Sequence, residues 1–211
     1  MRGRKGRLIV FEGVDAAGKT TLCDDLCEAL KKRDLPVRRY HFPGKTPGTL
    51  GELVYRIHHD HADGFGVPTL HPCSLQLLHI AAHVDVIETS IKQDISGGSW
   101  AVLDRFWWST YVYGLDAGVE EDALRSMIDV EIQAWRDVQP EPMFLIDSMM
   151  PLREDESGTA AWQRKRTLYA RFAESQASAH SCVRIRTERS AESRANANSA
   201  ILRAVLTESD E

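Results

Sequence analysis

The sequence predicts a three-layer α/β fold, a five-stranded parallel sheet covered by helices on both faces. Three observations carry that expectation. Short apolar runs alternate with amphipathic helical stretches; the runs are apolar at consecutive positions rather than at every second one; and a glycine-rich turn joins the first run to the first helix. Consecutive apolar residues mark strands buried on both faces, and parallel strands of that kind need helical, right-handed crossovers. Ligands of such sheets gather at the carboxyl ends of the strands.

The elements follow in order. Leu8 to Glu12 is an apolar run closed by Gly13, and it reads as the first strand. Thr20 to Lys32 places Leu22, Leu26, Ala29 and Leu30 at helical spacing, with Pro36 ending the element. A second strand around Val37 to Phe42 runs into the breaker-rich loop Pro43-Gly-Lys-Thr-Pro-Gly48, and a helix follows from Thr49 to His59. Ser74 to Ile95 reads as one long helix through Leu75, Leu78, Ala82, Val86, Ile87 and Ile91, stopped by Gly97 and Gly98. Trp100 to Leu103, Met143 to Ile146 and, more weakly, Cys182 to Ile185 are the remaining strands. Helical patterns at Glu121 to Arg136, Thr159 to Ser175 and Ala191 to Leu206 separate or follow them.

At 211 residues the chain suits one domain, with a basic tail at 1–6 and a polar tail at 207–211. A formal net charge of −5 argues against a nucleic-acid-coating surface, so nucleic acid is not expected as a partner. No run of eighteen apolar residues occurs, which excludes a membrane-spanning helix, and no apolar leader precedes Leu8, so a cytoplasmic location is expected. Cys23, Cys27, Cys73 and Cys182 form no CxxC pair and read as reduced thiols. The segment His58-His-Asp-His-Ala-Asp63 lacks metal-site spacing and reads as a polar helix end and loop.

Gly13-Val-Asp-Ala-Ala-Gly18-Lys19-Thr20 fits the phosphate-loop pattern GxxxxGK[ST], standing after a strand and before a helix as that pattern requires. The glycines let backbone amides turn toward phosphate oxygens, the helix start adds its positive end, Lys19 can bridge the β- and γ-phosphates, and Thr20 can hold Mg²⁺. The ATP-binding set is therefore Gly13, Ala16, Ala17, Gly18, Lys19, Thr20 and Thr21, with ATP as phosphoryl donor and Mg²⁺ as cofactor. The short chain and the lack of an Asn-Lys-x-Asp string favour a small-molecule kinase over a GTPase.

After the third strand, Asp104-Arg-Phe-Trp-Trp-Ser109-Thr110-Tyr-Val-Tyr113 resembles the DR(Y/H)xxSxxAY segment of thymidylate kinases. The preceding helix, Leu77 to Lys92, resembles that family's LxFxAARxxxVExxIKP-like helix. With Phe11 to Thr21 and Phe42-Pro-Gly44, the likeness covers about residues 7 to 175. The resemblance implies ATP-dependent phosphorylation of a (deoxy)pyrimidine nucleoside monophosphate by a P-loop kinase, and a homodimer. It implies that Asp104 positions Mg²⁺, that Arg105 clamps the acceptor phosphate, and that Asp15 reaches the sugar 3′-hydroxyl. Phe42 would line the acceptor site, Tyr113 would crowd the 2′ position, and Ser109 and Thr110 would lie toward the base. It also implies a short LID at about 148–160, with Arg153 the first choice for a mobile arginine and Arg164 and Arg166 as alternatives.

The chain departs from the family pattern at the acceptor base. His79 stands where the family has a stacking phenylalanine, His83 where it has an arginine that meets a base carbonyl, and Gly114 where it often has a polar residue. Lys45 falls near a family arginine for the acceptor phosphate. Thymine specificity is therefore open, and a modified pyrimidine is an alternative. So are a same-fold kinase for a hydroxyl of a modified nucleoside or DNA, and a nucleotide-binding regulator with little turnover. Two histidines facing the acceptor predict a pH-dependent acceptor affinity between about 5.5 and 7.5.

Overall fold

The computed structural model describes residues 6–60, 66–153, 158–177 and 181–206. Strands β1 (Leu8–Glu12), β2 (Val37–His41), β3 (Trp100–Asp104), β4 (Pro140–Ser148) and β5 (Cys182–Thr187) form one sheet in the order β2-β3-β1-β4-β5, every neighbouring pair parallel. β1 and β3 are buried along their whole length, as their unbroken apolar runs require. Placing β1 between β3 and β4 sets the carboxyl ends of the three strands side by side, with Phe11 opposite both Asp104 and Phe144.

Around the sheet lie α1 (Lys19–Lys31), α2 (Leu50–His59), α3 (Pro72–Val86), α4 (Lys92–Ser96), α5 (Trp107–Asp116), α6 (Glu121–Ala134), α7 (Gly158–Ser175) and α8 (Ala191–Val205). α2 begins at an N-cap, since Thr49 Oγ1 accepts the Glu52 N–H at 3.2 Å and Glu52 Oε2 reaches back to the Gly48 N–H at 2.7 Å. The long helix expected over Ser74 to Ile95 is present but not uniform. A π-helical turn, Ile87–Ile91, separates α3 from α4 while keeping Ile87 and Ile91 in the core.

One helix was not legible in the periodicity. Seven of the ten residues of α5 are buried, so the segment has no polar face against which an apolar stripe could be seen. Its rings fill the space under α7: Trp107 and Trp108 meet Phe172 edge-on at 5.5 and 5.4 Å, and Tyr111 stacks on the same ring at 4.2 Å. Gly114 has a packing reason for its size, because a Cβ there would lie 2.7 Å from Leu124 Cδ1 of α6. The core holds Phe11, Phe144, Trp100, Trp108 and Trp135, so truncating Phe11 to alanine should cost about 3–5 kcal/mol.

Candidate active site

The turn after β1 is shaped by positions that only particular residues tolerate. Gly13 has φ 136°, and a Cβ on it would sit 2.3 Å from the carbonyl oxygen of Ile146. Gly18, at φ 100°, starts α1 with no side-chain cap and no acidic residue in the first turn. The N–H groups and positive end of α1 are thus left for an anion. The loop is braced from three sides: Leu152 N–H donates to Ala16 O at 2.8 Å, Thr187 Oγ1 to Ala17 O at 2.9 Å, and Trp162 Nε1 to Asp15 O at 2.6 Å.

Lys19 is buried beneath this loop, its Nζ donating to Val14 O at 2.8 Å. Burial, and then the nearby Arg105 charge, pull its ammonium down to about 8. Anionic phosphate favours the charged form. Above pH 8 the free protein must therefore regain a proton to bind ATP, and the KM for ATP should rise with pH beyond that point. Lys19→Arg should flatten the rise, because guanidinium keeps its charge throughout this range. Initial rates at varied ATP between pH 7 and 10 check this.

Thr20 Oγ1 donates to Asp104 Oδ2 at 2.7 Å, and Arg39 Nη2 and His41 Nδ1 each lie 3.3 Å from the same oxygen. Burial works to raise the Asp104 carboxyl, but the His41 hydrogen bond, Lys19 and Arg105 hold it well below the usual carboxylate range. Its Oδ1 is buried and has no hydrogen-bond partner among the described residues. An orphaned carboxylate oxygen beside a threonine hydroxyl is a donor set that suits Mg²⁺.

Arg105 takes a left-handed backbone, φ 78°, while its N–H donates to Phe11 O at 2.9 Å. Such a conformation at a non-glycine residue is held by its surroundings. The guanidinium donates to Asp15 Oδ1 and, at 3.1 Å, to Ser109 Oγ. Tyr113 OH donates to the other oxygen of Asp15. Burial opposes the Asp15 charge, yet Arg105 and Lys19 keep its carboxyl far below the usual range.

Asp15, Arg105, Ser109 and Tyr113 are thus joined in one network next to Lys19. Beneath it lies Glu12, which the sequence analysis did not single out. Fully buried, it accepts the Phe106 N–H at 2.7 Å and the Ser109 N–H at 2.9 Å, so it closes the start of α5, and it takes the Ser109 hydroxyl at 2.9 Å. Burial raises its carboxyl. The available signal was an acidic residue ending a strand that is otherwise wholly apolar.

The remaining expected residues divide. Phe42 is buried and stacked on the His83 ring at 4.0 Å with planes 10° apart. His79 and His83 lie on α3 with ring centroids 6.2 Å apart, while Thr110 is buried on α5. Lys45 is exposed, its ammonium 4.0 Å from the centre of the Tyr55 ring and not part of the Arg105 network. Thr21 is exposed on α1. Arg164 pairs with Asp116 at 3.2 Å, and Arg166 makes two hydrogen bonds to Asp147, at 2.7 and 3.3 Å. Arg153 is exposed, and 154–157 of the expected LID lie outside the described residues, as do 61–63 of the histidine-rich segment.

The expected titration of His79 needs correction. Burial first, then the neighbouring imidazoles and Arg105, push His79 down to about 3, so it stays neutral across the physiological range. Two further groups escaped the sequence reading. Lys165 of α7 is buried with its ammonium 5.1 Å from the centre of the Tyr113 ring, and Glu131 of α6 is buried against His83.

The family model described as thymidylate kinase matches residues 11–205, nearly the whole chain. The chain belongs to the thymidylate kinase family. A thymidylate kinase of Chlorobium chlorochromatii is 31% identical over 141 residues, covering 66% of this chain and 59% of the relative. One from Burkholderia mallei is 28% identical over 184 residues, covering 80% and 84% of the two chains. The chain thus spans about three fifths of the Chlorobium thymidylate kinase. The fold matches the crystal structure of thymidylate kinase from Ehrlichia chaffeensis with TM-score 0.74 at 23% identity, covering 96% of this chain and 100% of that one. Among the described residues no helix is long and apolar enough to cross a membrane.

Proposed function

We propose that this chain transfers the γ-phosphoryl group of ATP to a pyrimidine deoxynucleoside monophosphate, dTMP being the first candidate, to give the diphosphate and ADP. The observation that carries the reading is the direct bond from Arg105 to Asp15, which joins the phosphate loop to the start of α5. Phosphoryl transfer needs two anions held in line and their charge neutralised, and no protein nucleophile.

The amides of Gly13 to Thr21 and the ammonium of Lys19 cradle the donor phosphates. Arg105 meets the acceptor phosphate, keeping two anionic groups close enough to react. Asp15 accepts the sugar 3′-hydroxyl, and the Tyr113 ring limits space at the 2′ position. Thr20 and Asp104 would hold Mg²⁺, which would supply charge neutralisation at the transferring group. Arg153 is the first choice for a mobile arginine from the LID segment, and the buried ammonium of Lys165 adds a positive charge beside Tyr113. A polymer phosphate at the 3′ position would face the Asp15 carboxylate, so a mononucleotide suits the site better than DNA.

Exposed Leu53, Leu77 and Val130 on α3 and on the helices α2 and α6 that each pack against it support a homodimer, and the unpaired cysteines accord with a cytoplasmic location. An ADP-release screen against nucleoside monophosphates, nucleosides and a DNA oligomer tests the reading. Turnover confined to a deoxypyrimidine monophosphate is expected; turnover only with nucleosides or DNA would overturn it.

A further inference from the structure

We infer that Lys165 is a further acceptor-binding residue: together with Asp15 it brackets the sugar 3′-hydroxyl, the carboxylate taking the hydroxyl hydrogen and the ammonium donating to the oxygen. The inference rests on the deoxynucleotide reading and deepens it.

Trp162, Lys165 and Tyr169 stand at i, i+3 and i+7 of α7, one stripe of the helix, and all three are buried. The stripe lies against the acceptor network. Trp162 Nε1 donates to Asp15 O at 2.6 Å, and the Tyr169 hydroxyl pairs with Ser109 Oγ at 2.7 Å. Lys165, between them, is 7% exposed, and its ammonium lies 5.1 Å from the centre of the Tyr113 ring. Among the described residues that ammonium makes no hydrogen bond and no ion pair, whereas Arg164 and Arg166, on either side in sequence, are paired with Asp116 and Asp147. Lysine is seldom buried without a partner, because its charge then loses water with nothing in exchange. An ammonium left over beside the Asp15–Arg105–Tyr113 network points to a ligand atom that accepts hydrogen bonds.

Its neighbours narrow the choice of atom. The Tyr113 hydroxyl donates to Asp15 Oδ2. Burial opposes the Asp15 charge, and Arg105, Lys19, Tyr113 and then Lys165 favour it, so ammonium and carboxylate share one end of the site. Arg105 also lies over the Tyr113 ring, at 5.2 Å, and in the proposed reaction it takes the acceptor phosphate, which leaves the sugar to Lys165. A carboxylate only accepts hydrogen bonds and an ammonium only donates them. A hydroxyl between the two satisfies both, giving its hydrogen to Asp15 and taking an N–H of Lys165 on a lone pair. A hydrogen atom in its place satisfies neither. A cationic amine there is attracted by Asp15 and repelled by Lys165. These mismatches are large enough to read because the lysine is buried.

The test is calorimetry on the full chain with dTMP, 3′-deoxy-dTMP and 3′-amino-3′-deoxy-dTMP at about pH 6.5, where the amine is protonated. Wild type is compared with Lys165→Met, which keeps an apolar stem and loses the charge. Removing the 3′-oxygen should weaken wild-type binding about 100-fold, and Lys165→Met should shrink that ratio about 10-fold or more. The 3′-amino nucleotide should bind the variant more tightly than wild type. An unchanged ratio, or 3′-amino binding that weakens in step with dTMP, overturns the inference, since a lysine that merely packs α7 moves all three nucleotides alike. If Lys165→Met does not fold, the shorter Lys165→Ala, which admits water, is read in the same way. Binding needs no turnover, so the expected ratios without phosphorylation overturn the proposed function alone. Failure of wild type to bind dTMP overturns both.

Discussion

Replacing Lys19 by alanine is expected to reduce phosphoryl transfer by at least about 100-fold while leaving the melting temperature within a few degrees of wild type. The two halves of that expectation have separate causes. The ammonium lies under the phosphate loop, bonded to Val14 O, where it can meet the bridging and terminal phosphate oxygens as charge shifts between them. Its burial already disfavours the charged form, as the downward shift to about 8 records. Removing that charge therefore takes nothing essential from the core, which is built from Phe11, Phe144 and the buried tryptophans. Steady-state rates with saturating ATP, alongside a calorimetric scan, check it. Wild-type turnover in the variant would remove the phosphate-loop assignment, and a collapse in melting temperature with retained turnover would make Lys19 structural.

Arg105→Ala is expected to cost about 100-fold or more in kcat/KM for the acceptor, and Arg105→Lys should recover little of it. The guanidinium makes bonds in two directions, to Asp15 and to Ser109, while its backbone is held at φ 78°. A lysine has no planar fork and reaches only one of them. If the residue were only a structural partner of Asp15, the alanine variant would lose stability and keep its acceptor KM. Measuring both parameters separates the two roles.

Much of this site was legible because its chemistry is local in sequence. GxxxxGK[ST] forces a phosphate loop through backbone geometry, and Gly13 and Gly18 stand where φ is positive. Asp104 and Arg105 were legible because a strand end places them at the sheet's carboxyl edge, beside β1. Helices with one polar face were found to within a few residues. α5 was missed, since a helix buried on nearly every side carries no amphipathic period. Glu12 and Glu131 were missed for a different reason. Each is defined by partners far along the chain, 94 residues to Phe106 for Glu12 and 48 to His83 for Glu131, and nothing in the local sequence announces such a partner. The histidines were read from spacing alone as a titrating pair; only their burial shows that His79 is held neutral.

The claim that the Arg105–Asp15 junction serves transfer between two phosphates is tested most directly by the identity of the product. Incubating the chain with ATP, Mg²⁺ and dTMP and following the mixture by ³¹P NMR should show the α- and β-phosphate doublets of dTDP growing with those of ADP in equal amounts. ADP appearing with inorganic phosphate alone, or with a new phosphate monoester in place of a diphosphate, would contradict the account.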